Sequence, residues 1–135
     1  MKKSIAVFGC GAASLAFASF IDTSKYNVII YERNNTCGRK FLVAGKGGFN
    51  LTHSEPLNGM IDRYIPASFL EHALRYFDNI AFRTWLGDLG IDTYIGSSKR
   101  VFPIKGIKPI EVLNALLKHI KSKDITIVNN VNWEG

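Results

Sequence analysis

The chain has 135 residues, 47% of them hydrophobic and 21% charged, which is typical of one globular domain and excludes a disordered protein. Its net charge is +6, but the basic residues are scattered and no nucleic-acid-binding signature accompanies them. We therefore expect no nucleic acid partner. Two cysteines, Cys10 and Cys37, provide no disulfide framework, so we expect a reducing cytoplasmic environment.

The N-terminal segment allows a competing interpretation. Residues 1–22 combine a basic start, an apolar run and small residues, which is the pattern of a secretory signal peptide. Gly9 and Gly11 interrupt that run at a spacing typical of a binding turn, so we favour a folded segment. No stretch of the sequence approaches the ~18 unbroken apolar residues of a membrane span, and we expect no membrane partner.

The first predicted elements form a βαβ unit. Residues 3–8 are a short apolar run that stops at glycine and predicts a buried strand. Residues 12–21 are rich in Ala, Leu and Phe and predict a helix, and residues 26–32 predict a second buried strand. A strand, a turn, a helix and a strand in about thirty residues predict a pair of parallel strands.

The middle of the chain predicts a long loop followed by helices. Residues 33–66 contain no long periodic segment, and a loop of this length is usually functional or disordered. Residues 67–78 and 79–89 carry apolar side chains at helical spacing. They predict a helical insertion at about residues 67–90.

The last third of the chain returns to alternating strands and helices. Residues 93–96 and 100–103 predict short strands on either side of a turn. Pro109 fits the first position of a helix over residues 109–123. Residues 125–128 predict a third buried strand, and residues 130–133 predict the beginning of a fourth.

The glycine turn after the first strand matches the dinucleotide fingerprint G-x-G-x-x-G except at its last position, which is Ser14. Gly9 permits the tight turn, Gly11 leaves room for a pyrophosphate, and Ser14 is small enough for the third position. Glu32 ends the next strand, where its carboxylate can accept from ribose hydroxyls. It disfavours a 2′-phosphate, which indicates FAD or NAD. The alternative is a buried turn with a surface glutamate.

A second glycine-rich segment follows at residues 44–53, "AGKGGFNLTH". It is not a P-loop, because six residues separate Gly38 from Gly45 where that motif has four. Gly47 also stands where the motif has the Ser or Thr that binds Mg²⁺. Its glycines allow backbone N–H groups to approach a flat ring or a diphosphate, and Asn50 and Thr52 can bind ring or ribityl oxygens. The alternative is a mobile surface loop.

The stretch "NNTCGRKFLVAGKGGFNLTHSEP", residues 34–56, resembles the segment after the second strand in BaiN/RdsA-like flavoproteins, which are NAD(P)/FAD-dependent oxidoreductases. The later "GSSKRVFP", residues 96–103, resembles the G-R-V-F-P block of that family. The resemblance implies that the first glycine loop holds the FAD pyrophosphate and Glu32 the adenosine ribose. Arg39 and Lys40 would lie over the AMP half, and the second glycine segment would follow the ribityl chain toward the isoalloxazine.

The predicted cofactor-binding set combines the fingerprint, the end of the second strand, the second glycine segment and one residue near the C-terminus. Its members are Gly9, Gly11, Ala12, Ala13, Ser14, Glu32, Arg33, Arg39, Lys40, Gly45, Gly47, Gly48, Asn50, Leu51, Thr52 and Val131. No catalytic acid or base and no metal site is predicted. His53 is interpreted as an ordinary hydrogen-bonding residue, Cys10 as a small buried residue, and Trp133 as a core or interface residue.

The predicted fold class is α/β, with a Rossmann-like FAD-binding βαβ unit, a parallel sheet and a helical insertion. Because the family's enzymes are longer, we expect residues 1–135 to be the N-terminal part of the FAD-binding domain of a two-domain flavoprotein, with the flavin loop at residues 36–54. The predicted function is hydride transfer between NAD(P)H and an unidentified substrate through FAD. The alternatives are an NAD-binding dehydrogenase domain and a non-catalytic nucleotide-binding module. We expect the chain alone to be inactive, to bind FAD poorly or not at all, and to self-associate.

Overall fold

The computed structural model describes residues 1–44 and 49–135. The chain divides into two compact units, one made of residues 1–47 and 109–135 and the other of residues 48–108. Both predicted insertion helices lie in the second unit. In the described part of the chain, no helix combines the length and the apolar character needed to cross a membrane.

The first unit is a three-stranded parallel sheet with helices, and the predicted α/β fold is confirmed. The order of its strands is Lys3–Phe8, Tyr26–Glu32 and Thr126–Asn129, so Tyr26–Glu32 lies in the middle. Its elements are β1 (Lys3–Phe8), α1 (Ala12–Phe20), β2 (Tyr26–Glu32), α2 (Arg39–Ala44), α6 (Pro109–Ser122) and β6 (Thr126–Asn129).

The core of this unit forms because its apolar positions match the period of each element. In β2, Val28 and Ile30 alternate with more exposed neighbours, while the buried positions of α6 recur at helical spacing. Burial of each large aliphatic side chain contributes about 1.5–3 kcal/mol. The buried apolar residues are Cys10, Leu15, Ala18, Val28, Ile30, Val112, Leu113, Leu116, Ile120 and Ile125.

The register of the sheet brings the carboxyl ends of its strands to one edge. Phe8 at the end of β1 pairs with Tyr31, and Glu32 at the end of β2 pairs with Asn129 of β6. In parallel sheets, ligands bind in the crevice outside this edge. The segments that follow β1, β2 and β6 are therefore gathered at the place where a ligand is expected.

The prediction of a fourth strand at residues 130–133 is wrong, because these residues form no strand. Asn130 has a φ of 60°, which turns the chain away from the direction of β6. Its N–H donates to Asn34 O (3.2 Å), and Val131 N donates to Glu32 O (3.0 Å). The segment after β6 therefore bonds to the end of β2 and not to a further strand.

In its described residues, the second unit contains three helices and a small antiparallel sheet, whose strands follow the order Thr52–His53, Arg100–Pro103, Thr93–Ile95. The predicted helices and the two short strands around residues 97 and 98 are confirmed. The segment predicted as a long loop also contains the short helices Arg39–Ala44 and Leu57–Ile61 and the short strand Thr52–His53. The elements of this unit are β3 (Thr52–His53), α3 (Leu57–Ile61), α4 (Ser68–Tyr76), α5 (Asn79–Asp88), β4 (Thr93–Ile95) and β5 (Arg100–Pro103).

Side-chain hydrogen bonds hold this second unit together at two places. The buried side-chain amide of Asn79 donates to the carbonyls of His53 (2.6 Å) and Glu55 (3.0 Å). The Asp78 carboxylate accepts from Ile80 N (3.0 Å) and Ala81 N (2.8 Å), and so caps α5. Such a cap typically stabilises a helix by about 0.5–2 kcal/mol.

Candidate functional site

A cavity of about 340 Å³ opens at the carboxyl edge of the parallel sheet. We call it the strand-end cavity. It is lined by the segments that follow β1 and β2, by the start of α2 and by the chain after β6, namely residues 8–11, 31–34, 36, 38–40 and 131–133. The topology of the first unit alone therefore assembles it.

The fingerprint turn has the geometry that its glycines predict. Gly9 has a φ of +88°, a conformation that favours glycine, and its N–H donates to Tyr31 O at 2.8 Å. Gly11 is the N-cap of α1, and a Cβ added there would meet no atom within 4 Å. The space beside Gly11 is therefore open, and Gly11 itself lines the strand-end cavity.

The N-terminus of α1 is left without a side-chain cap. Gly11 provides none, and the first turn of the helix contains no acidic residue among the residues described. Ala12 and Ala13 are exposed and Ser14 is half-buried. The first N–H groups of α1 therefore remain as donors beside the cavity, at the positive end of the helix dipole.

Glu32 connects the two loops of the cavity through its carboxylate. Oε2 accepts from Cys10 N (2.8 Å), and Oε1 accepts from the backbone N–H (2.8 Å) and the side-chain amide (2.6 Å) of Asn34. A carboxylate has about four acceptor positions. Three hydrogen bonds leave about one position for a ligand hydroxyl.

The charge of Glu32 is maintained although the residue is only 7% exposed. Burial by itself raises the pKa of the carboxyl group, but the hydrogen bonds from Cys10 and Asn34 outweigh it and lower the pKa below its ordinary value. Glu32 is therefore ionised at neutral pH and acts only as an acceptor.

Three cationic side chains line the same cavity. Arg33, Arg39 and Lys40 are exposed, and Arg39 Nη1 donates to Asn34 Oδ1 at 3.1 Å. Together with the start of α1 they give the cavity a positive rim around the buried Glu32. An anionic ligand with a hydroxyl group fits this arrangement of charges.

Aromatic residues, which the sequence did not assign to the site, form one side of the cavity. The ring of Phe8 stacks on Tyr31 at 5.8 Å and on Trp133 at 4.9 Å between ring centroids. Trp133 is 64% exposed, so it is not a core residue. Neither Trp133 nor Asn34 was predicted as a site residue. For both, the feature of the sequence that could have indicated the site is a position shortly after a predicted strand.

The expectation of two separate cysteines is wrong, because Cys10 and Cys37 are joined by a disulfide with a Cα–Cα distance of 4.9 Å. The Gly38 N–H donates to Cys10 O at 2.8 Å, which brings Cys37 beside the fingerprint turn. The two cysteines are 27 residues apart in the sequence. Their proximity results from the parallel pairing of β1 with β2.

The structure gathers one part of the predicted cofactor set at the strand-end cavity. Gly9, Gly11, Glu32, Arg33, Arg39, Lys40 and Val131 line it, and Ala12, Ala13 and Ser14 begin the adjoining helix. Gly45, Gly47 and Gly48 lie outside the described residues. The binding roles of all these residues remain predictions.

Asn50, Leu51 and Thr52 belong to the second unit. Leu51 N donates to Val101 O at 2.8 Å, and Thr52 pairs with Val101 across the small sheet. The Nδ1 atom of His53 accepts from Glu55 N at 3.2 Å, a hydrogen bond that agrees with the interpretation of His53. Among the described residues, no group of His, Cys, Asp and Glu is suited to hold a metal ion.

Two solved structures share similarity with the chain. The crystal structure of Thermovibrio ammonificans THI4 is similar, with a TM-score of 0.56 and 12% identity over 95% of this chain and 38% of that chain. The crystal structure of CtdE in complex with FAD and substrate 4 has a TM-score of 0.38 and 16% identity, over 99% of this chain and 32% of that chain. None of the curated proteins compared matches.

The similarity to THI4 supports the fold alone, and the chain spans less than half the length of either solved chain. The family of the chain is shown by a match to a family model. The model described as the HI0933-like protein Rossmann domain matches residues 3–135. The chain therefore belongs to the HI0933-like family, the BaiN/RdsA-like flavoproteins that its motifs indicate.

Proposed function

We propose that the chain binds FAD and forms part of an oxidoreductase that passes hydride between NAD(P)H and a substrate still to be identified. One observation carries the proposal: the uncapped start of α1 and the ionised Glu32 border the same cavity. N–H donors at a helix start suit a diphosphate, and a buried carboxylate acceptor suits ribose hydroxyls.

The size of the cavity supports binding of the adenosine diphosphate half of the dinucleotide. Its volume of about 340 Å³ lies near the lower end of the roughly 300–1,000 Å³ range of ligand pockets. That volume suits one nucleotide better than the whole of FAD. The diphosphate would lie between the start of α1 and the cationic side chains of Arg33, Arg39 and Lys40.

The assignment to FAD depends on the family and on the second glycine segment. We assign Gly45, Gly47, Gly48, Asn50, Leu51 and Thr52 to the ribityl and isoalloxazine end. When bound, the flavin supplies the hydride chemistry, while the residues of the chain bind it, orient it and set the polarity around it.

An NAD-binding domain remains the second candidate, because FAD and NAD share the adenosine diphosphate half that the strand-end cavity fits. A 2′-phosphate, as in NADP, would place negative charge near Glu32. The ionised state of that carboxylate therefore supports FAD or NAD over NADP as the dinucleotide of this cavity.

Titration of the purified chain with FAD, NAD, ADP and NADP tests the proposal. We expect ADP to bind, FAD to bind no more tightly than ADP because the contacts of the strand-end cavity are with the ADP half, and NADP to bind more weakly than NAD. Saturable binding of added FAD, followed by its visible absorbance, together with weaker binding of NAD would favour FAD. Binding of NADP as tight as that of NAD would contradict the role of Glu32.

We further propose a cytoplasmic protein with a small-molecule substrate, without nucleic acid or membrane partners. Light scattering during the same experiment measures self-association. A monomer with stoichiometric, tightly held FAD would contradict our expectation that the isolated chain binds FAD poorly.

A further inference from the structure

The disulfide between Cys10 and Cys37 joins two segments that line the strand-end cavity from different strands. Cys10 lies between the fingerprint glycines after β1, and Cys37 lies in the loop between β2 and α2. Neighbouring residues of both segments, including Gly11 and Gly38, line the cavity. The bond therefore fixes the separation of two segments between which a ligand is expected to bind.

Both the N–H and the carbonyl group of Cys10 form hydrogen bonds with residues of the site. Its N–H donates to Glu32 Oε2 at 2.8 Å, and its carbonyl accepts from Gly38 N at 2.8 Å. A Cβ added at Gly38 would lie 2.7 Å from the side chain of Leu113, so Gly38 is packed closely against α6. A movement of Cys10 would change the position of the Glu32 carboxylate as well as that of the fingerprint turn.

The two cysteine residues differ in their exposure to solvent. Cys10 is 1% exposed, whereas Cys37 is half-buried and also lines a second, mainly apolar cavity of about 640 Å³ beside α6. A small thiol can therefore approach Cys37 more readily than Cys10. Cys10 lies two residues before the start of α1, whose positive end stabilises negative charge on a departing sulfur.

We propose that Cys10 and Cys37 are a redox-active pair whose thiol–disulfide exchange controls the affinity of the strand-end cavity for a dinucleotide. The exchange partner is a low-molecular-weight thiol of the glutathione class. The inference rests on the proposed dinucleotide site. It also fits the proposed cytoplasmic location, where a thiol pool of this class is present.

Complete reduction of the Cys10–Cys37 disulfide consumes two thiols of the partner. A partner thiolate attacks Sγ of Cys37, the Cys10–Cys37 bond breaks, and Cys10 leaves as a thiolate. A second partner thiolate then attacks the partner's sulfur in the mixed disulfide and releases Cys37. The protein disulfide gains two electrons, the partner becomes a disulfide, and the two protons lost by the partner thiols are taken up by Cys10 and Cys37.

The chain with the Cys10–Cys37 disulfide closed has the higher affinity for the dinucleotide. The bond orders both segments before the ligand arrives, so less conformational entropy is lost on binding. After reduction, hydrogen bonds such as the one from Gly38 N hold the segments, and short loops of this kind open locally at low cost. If the reduced chain must order one additional residue when the ligand binds, the lost conformational entropy weakens its affinity by about 5- to 30-fold.

The test measures the dissociation constants of ADP and FAD for the oxidised and the reduced chain. Mass spectrometry after alkylation establishes the thiol state of each sample. We expect binding to the oxidised chain to be about 5- to 30-fold tighter, and the disulfide to open in millimolar reduced glutathione. Cys37→Ser is the matched control, because Cys37 is half-buried. It should bind like the reduced chain with or without oxidant.

Equal dissociation constants in the two states would overturn the redox inference and leave the proposed function intact. A disulfide that stays closed in millimolar glutathione would also overturn it. Absence of ADP binding in both states would contradict the proposed function, and the inference would fall with it. If Cys37→Ser fails to fold, the comparison of oxidised with reduced wild type still decides between these outcomes.

Discussion

The helices α1 and α5 begin in opposite ways. At α5, the Asp78 carboxylate accepts from two N–H groups of the first turn, and the helix start is complete within the protein. At α1, Gly11 offers no side chain, and the space beside it is open. Both helices are of similar length, with 9 and 10 residues. The difference therefore lies in what satisfies the first N–H groups.

The start of α5 is satisfied by groups of the protein itself, whereas the start of α1 is suited to bind a ligand. The polar groups around α5 are paired with one another, as the contacts of Asn79 with the carbonyls of His53 and Glu55 also show. Around α1, by contrast, a buried carboxylate, three cationic side chains and the uncapped helix start at Gly11 border one cavity. A ligand diphosphate would take the place at α1 that Asp78 takes at α5.

The largest expected effect comes from Gly11→Val. The branched side chain would fill the open space beside the start of α1, and we expect binding of ADP and FAD to become undetectable. The φ of Gly11 is −101°, which valine also adopts, so the fold should persist. Isothermal calorimetry measures the affinity. Gly87→Val near the end of α5 is the matched control, and it should bind like wild type.

Glu32→Ala should weaken ADP binding by about 1.5–3 kcal/mol for each charge-assisted hydrogen bond that is lost. It should also lower the free energy of unfolding by about 1–3 kcal/mol, because buried N–H donors lose their acceptor. Titration calorimetry and urea unfolding measure the two effects separately. Glu55→Ala removes an acid of the second unit that pairs with Arg63. Equal affinities of the Glu32 and Glu55 variants would exclude the ribose role.

Asp78→Ala should have a smaller effect of a different kind. Loss of the cap leaves two N–H groups of α5 without their acceptor, so the free energy of unfolding should fall by about 0.5–2 kcal/mol. The affinity for ADP should not change. A clear loss of ADP affinity in this variant would remove the distinction between the two helix starts.

The smallest expected effect concerns pH. Because the pKa of folded Glu32 is below its ordinary value, its ionised form stabilises the folded chain above the unfolded-state pKa. This stabilisation is lost as the pH falls through the folded-state pKa. The difference in unfolding free energy between wild type and Glu32→Gln should therefore shrink as the pH falls from about 6 to below about 4. A difference that grows on acidification would show that the pKa is raised.

The parts of the fold that depend on local sequence were predictable. The apolar run of β1, the glycines that follow it and the alternation of β2 are each encoded within a few residues, so the βαβ unit and the place of Glu32 could be predicted. The short helices α2 and α3 contain 6 and 5 residues. Such lengths are too short for a helical period to be recognised.

The rest of the site depends on contacts between distant segments. The Cys10–Cys37 bond forms only when β1 and β2 pair, and Trp133 reaches Phe8 only because the chain turns at Asn130. A strand pattern at residues 130–133 was overridden by the hydrogen bonds of this segment with the end of β2. Tertiary contacts of this kind leave no periodic signal in the sequence.

The most direct test of the account is a titration of the ¹⁵N-labelled chain with ADP, followed through the backbone amide signals. The account predicts saturable shifts for the amides of Ala12 and Ala13 at the start of α1 and for Asn34 beside Glu32. The amides of Ile80 and Ala81, which Asp78 already caps, should not shift. Absence of saturable shifts at α1, or equal shifts at both helix starts, would contradict the claim that the start of α1 is a diphosphate site.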